Sequence, residues 1–242
     1  MAAPTSPAVA SPTPPPVTTL KANDPRKNED GTLKLGLKMA TIFVGDQVEP
    51  FIIHHALITA SSDYFAKALD GEFKEKEGVV RLEDQDPTTF ASYTQWLYNN
   101  AVVPVGEIGE KYRAILHQYI FGNYIQDRGY SNAVIDAFIC LTDKTNFYPI
   151  ALTQQAWVSL PESCPLLTLL VDFWVNISHA DWYRNEDGSW ESGDVTQGPI
   201  EFWRRVALDL VNNPKGTKPG SYPWEINRCQ YHEHKDGEPK CV

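Results

Sequence analysis

Cys229, His232, His234 and Cys241 stand close together near the end of the 242-residue chain, and thiolates with imidazoles are the ligand set of a tetrahedral zinc site. In an extended strand His232 and His234 project to the same side. Asp236-Gly237 is a turn signal that brings Cys241 back toward Cys229. Two readings stay open: a structural zinc held by these four residues, or a polar tail that is frayed or laid on the surface. The second draws on the tight His-x-His spacing and on a distance to the last cysteine that departs from common zinc-finger patterns. A Cys229 to Cys241 disulfide is geometrically open as well, and a reducing compartment disfavours it.

Other chemistry is sparse. The chain has no Gly-x-Ser-x-Gly elbow, no phosphate loop, no dinucleotide fingerprint and no His-Glu-x-x-His helix, so no catalytic residue and no cofactor other than the structural zinc is expected. An enzyme built from dispersed residues would need a deep pocket with convergent polar groups and shifted pKa values. His54, at the start of a short helix in an apolar segment, is expected to be a hydrogen-bonded structural residue, and His55 to be exposed. Tyr64, Phe65, Phe73, Phe90 and Trp96 read as core. The acidic stretches 72–77 and 83–86 read as solvated surface, with a basic partner as the functional alternative.

Bulk properties narrow the class. Twenty-one Lys and Arg against thirty-one Asp and Glu leave a formal charge of −10, with no basic run, which disfavours nucleic acid as a partner. Four cysteines are too few for a disulfide-stapled secreted domain. No apolar run approaches the roughly 20 residues that span a bilayer. The expected setting is the cytosol or nucleus, away from membranes.

The elements that would position these residues follow from periodicity. Residues 1–32, rich in Pro, Ala, Ser and Thr and then polar, read as a disordered arm whose prolines offer a docking peptide at most. Thr41-Ile42-Phe43-Val44, the Gly45-Asp46 turn and Phe51-Ile52-Ile53 predict a hairpin. Two short helices follow, the second capped by Ser62, and then a third strand, Val79-Val80-Arg81-Leu82. Asp86-Pro87 starts a helix that ends at Asn99-Asn100. Helices around 111–126 and through Val134, Ala137, Phe138 and Leu141 come next, with Gly129 as the turn between them. Farther on, Leu166, Leu169, Leu170 and Phe173 mark one amphipathic helix, and Trp203, Val206, Ala207 and Leu210 another, separated by a polar loop over 179–198.

This order, and five blocks of residues within it, resemble the BTB/POZ family. Phe51-Ile52-Ile53-His54-His55-Ala56-Leu57-Ile58 is similar to its aromatic, histidine and aliphatic signature. Ser62-Asp63-Tyr64-Phe65 is similar to its serine and paired aromatics, and Gly71-Glu72-Phe73-Lys74-Glu75 to its acidic turn. Val79-Val80-Arg81-Leu82 and Asp86-Pro87, with the helix through Phe90 and Tyr98, complete the set. The segments around Pro165-Leu166-Leu167 and Pro199-Ile200-Glu201-Phe202-Trp203 resemble the helical extension of a fungal group of BTB proteins. The resemblance implies an α+β fold, a short β-sheet capped by α-helices, over residues 36–143. A helical extension over 144–213 and a polar tail over 214–242 follow. It implies a protein-interaction adaptor that associates with itself or another chain, in many members recruiting a cullin-type ubiquitin ligase scaffold, and it implies no enzyme. One departure is local: Lys38 and Met39 stand where the family often has an acidic residue lining a charged pocket at its dimer interface. The alternative from another class is a small zinc-binding regulatory protein built on the Cys/His tail.

Overall fold

The computed structural model describes residues 24–71, 78–179, 187, 198–212, 221–235, 237 and 241. Most of the proline-rich arm, Phe73 with the acidic stretch 72–77, most of the 179–198 loop, residues 213–220 and Asp236 lie outside the described residues.

Alternation of β-branched and aromatic residues produces the strands β1 (Met39–Val44), β2 (Phe51–His54) and β3 (Val79–Leu82). They form one sheet in the order β2-β1-β3, with β2 antiparallel and β3 parallel to the central strand. Ala40, Ile42, Val44, Ile53, Val80 and Leu82 point inward and are buried, the alternation a half-buried sheet requires. Gly45 makes the β1–β2 turn with φ +56°.

The helices cap the inner face. α1 (His55–Ser61) and α2 (Asp63–Asp70) are separated by Ser62, whose Oγ accepts the Phe65 N–H at 3.2 Å and donates to the Ile125 carbonyl. α3 (Pro87–Asn99) has Asp86 as its N-cap, accepting from the Thr89 N–H, and ends on Asn100 in the left-handed region. α4 (Ile108–Tyr124) and α5 (Arg128–Thr145) form the helical hairpin. Its turn is made by Gln126 at φ +54°, whereas Gly129, expected to be the turn, sits inside the first turn of α5. The reason is tertiary: the Asp63 and Tyr64 N–H groups at the start of α2 have no acceptor within the helix and donate to the Gln126 and Ile125 carbonyls instead.

Beyond the hairpin come α6 (Thr153–Ser159), α7 (Pro165–Ile177), α8 (Ile200–Asn212) and the single turn α9 (Pro223–Ile226). α7 is apolar on two faces because both are buried, and leaves Thr168, Asp172 and Asn176 on a third. Leu166, Leu169, Leu170 and Phe173 join the main core, and Val171, Trp174 and Val175 pack against Phe202 and Val206 of α8. The α8 face differs from the expected stripe: Phe202 and Val206 are buried, while Ala207 and Leu210 are exposed.

Two terminal readings are corrected. The arm does not run to residue 32, because Arg26 is 1% exposed and bonded to the end of α3. An ion pair between Asp24 and Arg26 offsets the burial of both charges. The tail is not merely polar, because Trp224 and Tyr231 lie in the main core at 0% exposure.

Candidate functional site

The C-terminal segment reaches the site through packing of its own. Tyr222 and Trp224 stack at 4.7 Å, Trp224 meets Phe173 edge-on at 4.7 Å, and Tyr231 donates its hydroxyl to Asp172. These anchors place the strand-like residues 232–235 along α5. There Asn132 pairs with the Glu233 backbone twice, donating to its carbonyl at 3.0 Å and accepting from its N–H at 2.9 Å. Arg228 adds an ion pair with Asp143 at 3.0 Å.

That placement brings the Cys/His residues together. Ligand atoms of Cys229, His234 and Cys241 lie within 4.8 Å of one another. The Cys229 Sγ is 3.2 Å from His234 Nε2, and the Cys241 Sγ is 3.6 Å from the same nitrogen. His232 is outside this mutual set but touches it, with Nδ1 3.1 Å from the Cys241 Sγ. Its other ring nitrogen, Nε2, is 3.3 Å from the Asp136 carboxylate, and its side chain is 6% exposed. Burial and the neighbouring Cys229 thiol push the Cys241 thiol up to about 11. All four cysteines are free thiols. Asn132 and Asp136 escaped sequence reasoning, since on a helix they look like ordinary solvated residues. The available signal was their i, i+4 spacing, a polar stripe beside the apolar one.

The histidines of the apolar segment behave differently from each other. His54 is half-buried and its Nδ1 lies 2.8 Å from the Tyr98 hydroxyl, the structural role expected of it. His55, expected to be exposed, is buried at 8%. Its Nε2 is 2.9 Å from Lys38 Nζ and 3.2 Å from an Asp70 oxygen, so Lys38 is engaged within its own chain.

A cleft of about 220 Å³ between α2, α4 and α5 is lined by Asp63, Asn123, Gln126, Asp127, Ser131 and Glu233. Asp127 is buried and its carboxyl is pushed up to about 6 by that burial. Both oxygens are engaged by the fold: Tyr130 N–H donates to one, and the Ser61 and Tyr93 hydroxyls donate to the other. Asp127 therefore ties α1 and α3 to the N-terminus of α5, and its engaged oxygens leave it poorly placed to meet a ligand.

The sheet presents a second surface. Thr41 is paired with Ile52 on one side and Val79 on the other, and this row faces outward with Ile52 54% and Val79 36% exposed. Met39 and Phe43 flank the row on β1, the latter under the Arg81 guanidinium at 4.2 Å. An open sheet face of aliphatic residues is a surface another polypeptide covers favourably.

Among the described residues no helix is long and apolar enough to cross a membrane. No curated protein matches the chain. A comparison with protein families matches residues 39–121, from the first residue of β1 into α4, to the BTB/POZ domain. The sheet order, the capping helices and this match agree: the chain carries a BTB/POZ domain, a protein-interaction module, over residues 39–121.

Proposed function

We propose that the chain is a protein-binding adaptor of the cytosol or nucleus, whose BTB/POZ domain docks another polypeptide and recruits a cullin-type ubiquitin ligase scaffold. The observation that carries this reading is the outward row Ile52, Thr41 and Val79 on a domain of an interaction family. Apolar residues on a rigid sheet cost little entropy to present, and affinity concentrates in a few such anchors. The family resemblance supports the cullin partner. Engagement of Lys38 by His55 supports a partner other than a second copy in the usual dimer arrangement. The helical extension through α7 and α8 supplies a second surface for specificity.

The test is affinity purification of the full chain with mass spectrometry, beside an Ile52→Lys, Val79→Glu double variant. Both positions are outward-facing, so the circular dichroism spectrum should not change. A cullin scaffold and further polypeptides recovered with the parent and lost from the variant are expected. Recovery of no polypeptide by the parent overturns the adaptor reading, recovery without a cullin overturns the scaffold, and full retention by the variant moves docking off the sheet.

A further inference from the structure

We propose that Cys229, His232, His234 and Cys241 hold one zinc ion, and that this ion staples the C-terminal segment to α5. The inference stands independently of the adaptor reading. Four residues of the soft and borderline type converge from a short stretch of chain, and a thiolate and imidazole set of this kind is a tetrahedral zinc set. Zinc to sulfur and zinc to nitrogen bonds at tetrahedral angles place neighbouring sulfur and nitrogen atoms about 3.6 Å apart. The separations of 3.2 and 3.6 Å from His234 Nε2 and of 3.1 Å from His232 Nδ1 are within about half an ångström of that spacing. His232, already 3.1 Å from the Cys241 Sγ, completes the set by turning its ring toward the other two ligands.

The surroundings are those of a ligand site and not of a chance cluster. A thiol is a weak donor and a weak acceptor, so thiols facing imidazoles make a poor hydrogen-bond network on their own. His232 turns Nδ1 to the cluster and Nε2 to Asp136, the carboxylate behind an imidazole that orients metal-ligating histidines. Nε2 is buried, and the Asp136 oxygen is within ion-pair reach but off hydrogen-bond direction. The Cys241 backbone N–H donates to the Cys229 Sγ at 3.1 Å, so that sulfur is supported from its own chain as well. Asp136, Asn132 and Asp143 belong to α5, which makes the helix the wall on which the staple closes.

The experiment uses the full chain purified without chelator. Metal analysis should return one zinc per chain. Titration of the zinc-free, reduced protein with Co²⁺ should give thiolate-to-cobalt charge-transfer absorption and tetrahedral d–d bands that saturate at one equivalent. Cys229→Ser and Cys241→Ser should lose the zinc and the charge-transfer band. Asp136→Asn removes no ligand and should weaken zinc binding by about 10- to 100-fold. Cys140→Ser, a thiol of the same helix outside the cluster, should leave stoichiometry and spectrum unchanged. Less than a tenth of a zinc per chain together with no cobalt band overturns the proposal, even if the cysteine variants prove unstable. So does a Cys229 to Cys241 disulfide that blocks alkylation until reductant is added, or zinc retained undiminished by both cysteine variants.

Discussion

Asp127 is a carboxylate the fold holds away from water, and the sign of its cost is testable. Burial raises its carboxyl from 3.8 to about 6, against the pull of the Ser61 hydroxyl, the Tyr130 N–H and the Tyr93 hydroxyl. Between these two values the folded chain keeps a proton that the unfolded chain has released. Its contribution to stability is therefore full at low pH and is lost as pH rises through about 6. Asp127→Asn keeps an acceptor for Tyr130 and removes the charge. The stability of the parent minus that of this variant should fall by about 2–3 kcal/mol from pH 4 to pH 7 in urea titrations. A flat difference would refute the assignment. Arg26 is the complementary case of a buried cation that is paired. It donates to the Trp96 carbonyl at 3.1 Å and to Asn100 Oδ1 at 2.6 Å, and lies over the Trp96 ring at 3.9 Å. Arg26→Ala strands Asp24, whose side chain is 3% exposed, and should cost about 3–5 kcal/mol. Adding Asp24→Asn should recover part of that loss, which a double-mutant cycle measures.

Elements were legible where local chemistry and tertiary packing agree. Gly45-Asp46, Ser62 and Asp86-Pro87 each act in the structure as the turn or cap their residue types announce. Gly45 tests how far that agreement is enforced: its φ of +56° disfavours a side chain, and a Cβ there would meet the Gln85 carbonyl at 2.9 Å. Gly31 has φ +83° but open space around it. Gly45→Ala should thus cost about 2–3 kcal/mol and Gly31→Ala about 1 kcal/mol, read by chemical unfolding. Equal costs would mean that the turn yields. Where packing overrides local preference, the sequence misleads. Gly129 is helical because Asp127 caps it and α2 takes the turn carbonyls, neither of which is visible in a window around 129. The α8 face is set by Trp157 and Trp174, against which Phe202 packs at 5.3 and 5.7 Å, and not by its own repeat. The Cys/His residues were legible as a group by type, whereas Asp136 and Asn132 became site residues only through a contact about a hundred residues distant in sequence.

At the scale of the molecule, the BTB/POZ segment and the C-terminal half share a single core. The main buried cluster runs from Ala40 in the sheet, through Tyr119 and Phe138 of the helical hairpin, to Phe173, Trp224 and Tyr231. A core shared in this way predicts one cooperative transition and not two. Trp224 is the place to test it, since it is remote in sequence from the family segment, is fully buried and fills the space between Phe173 and Tyr222. Trp224→Ala leaves a cavity there and should lower the stability of the whole chain by about 3–5 kcal/mol. Far-ultraviolet circular dichroism and hydrogen exchange of the β1 and β2 amides should report that loss together, at the same denaturant midpoint. If the sheet amides keep their protection while the C-terminal segment opens, the two halves are separate folding units. The tail would then be an appendage of the interaction domain instead of part of the core that holds its shape.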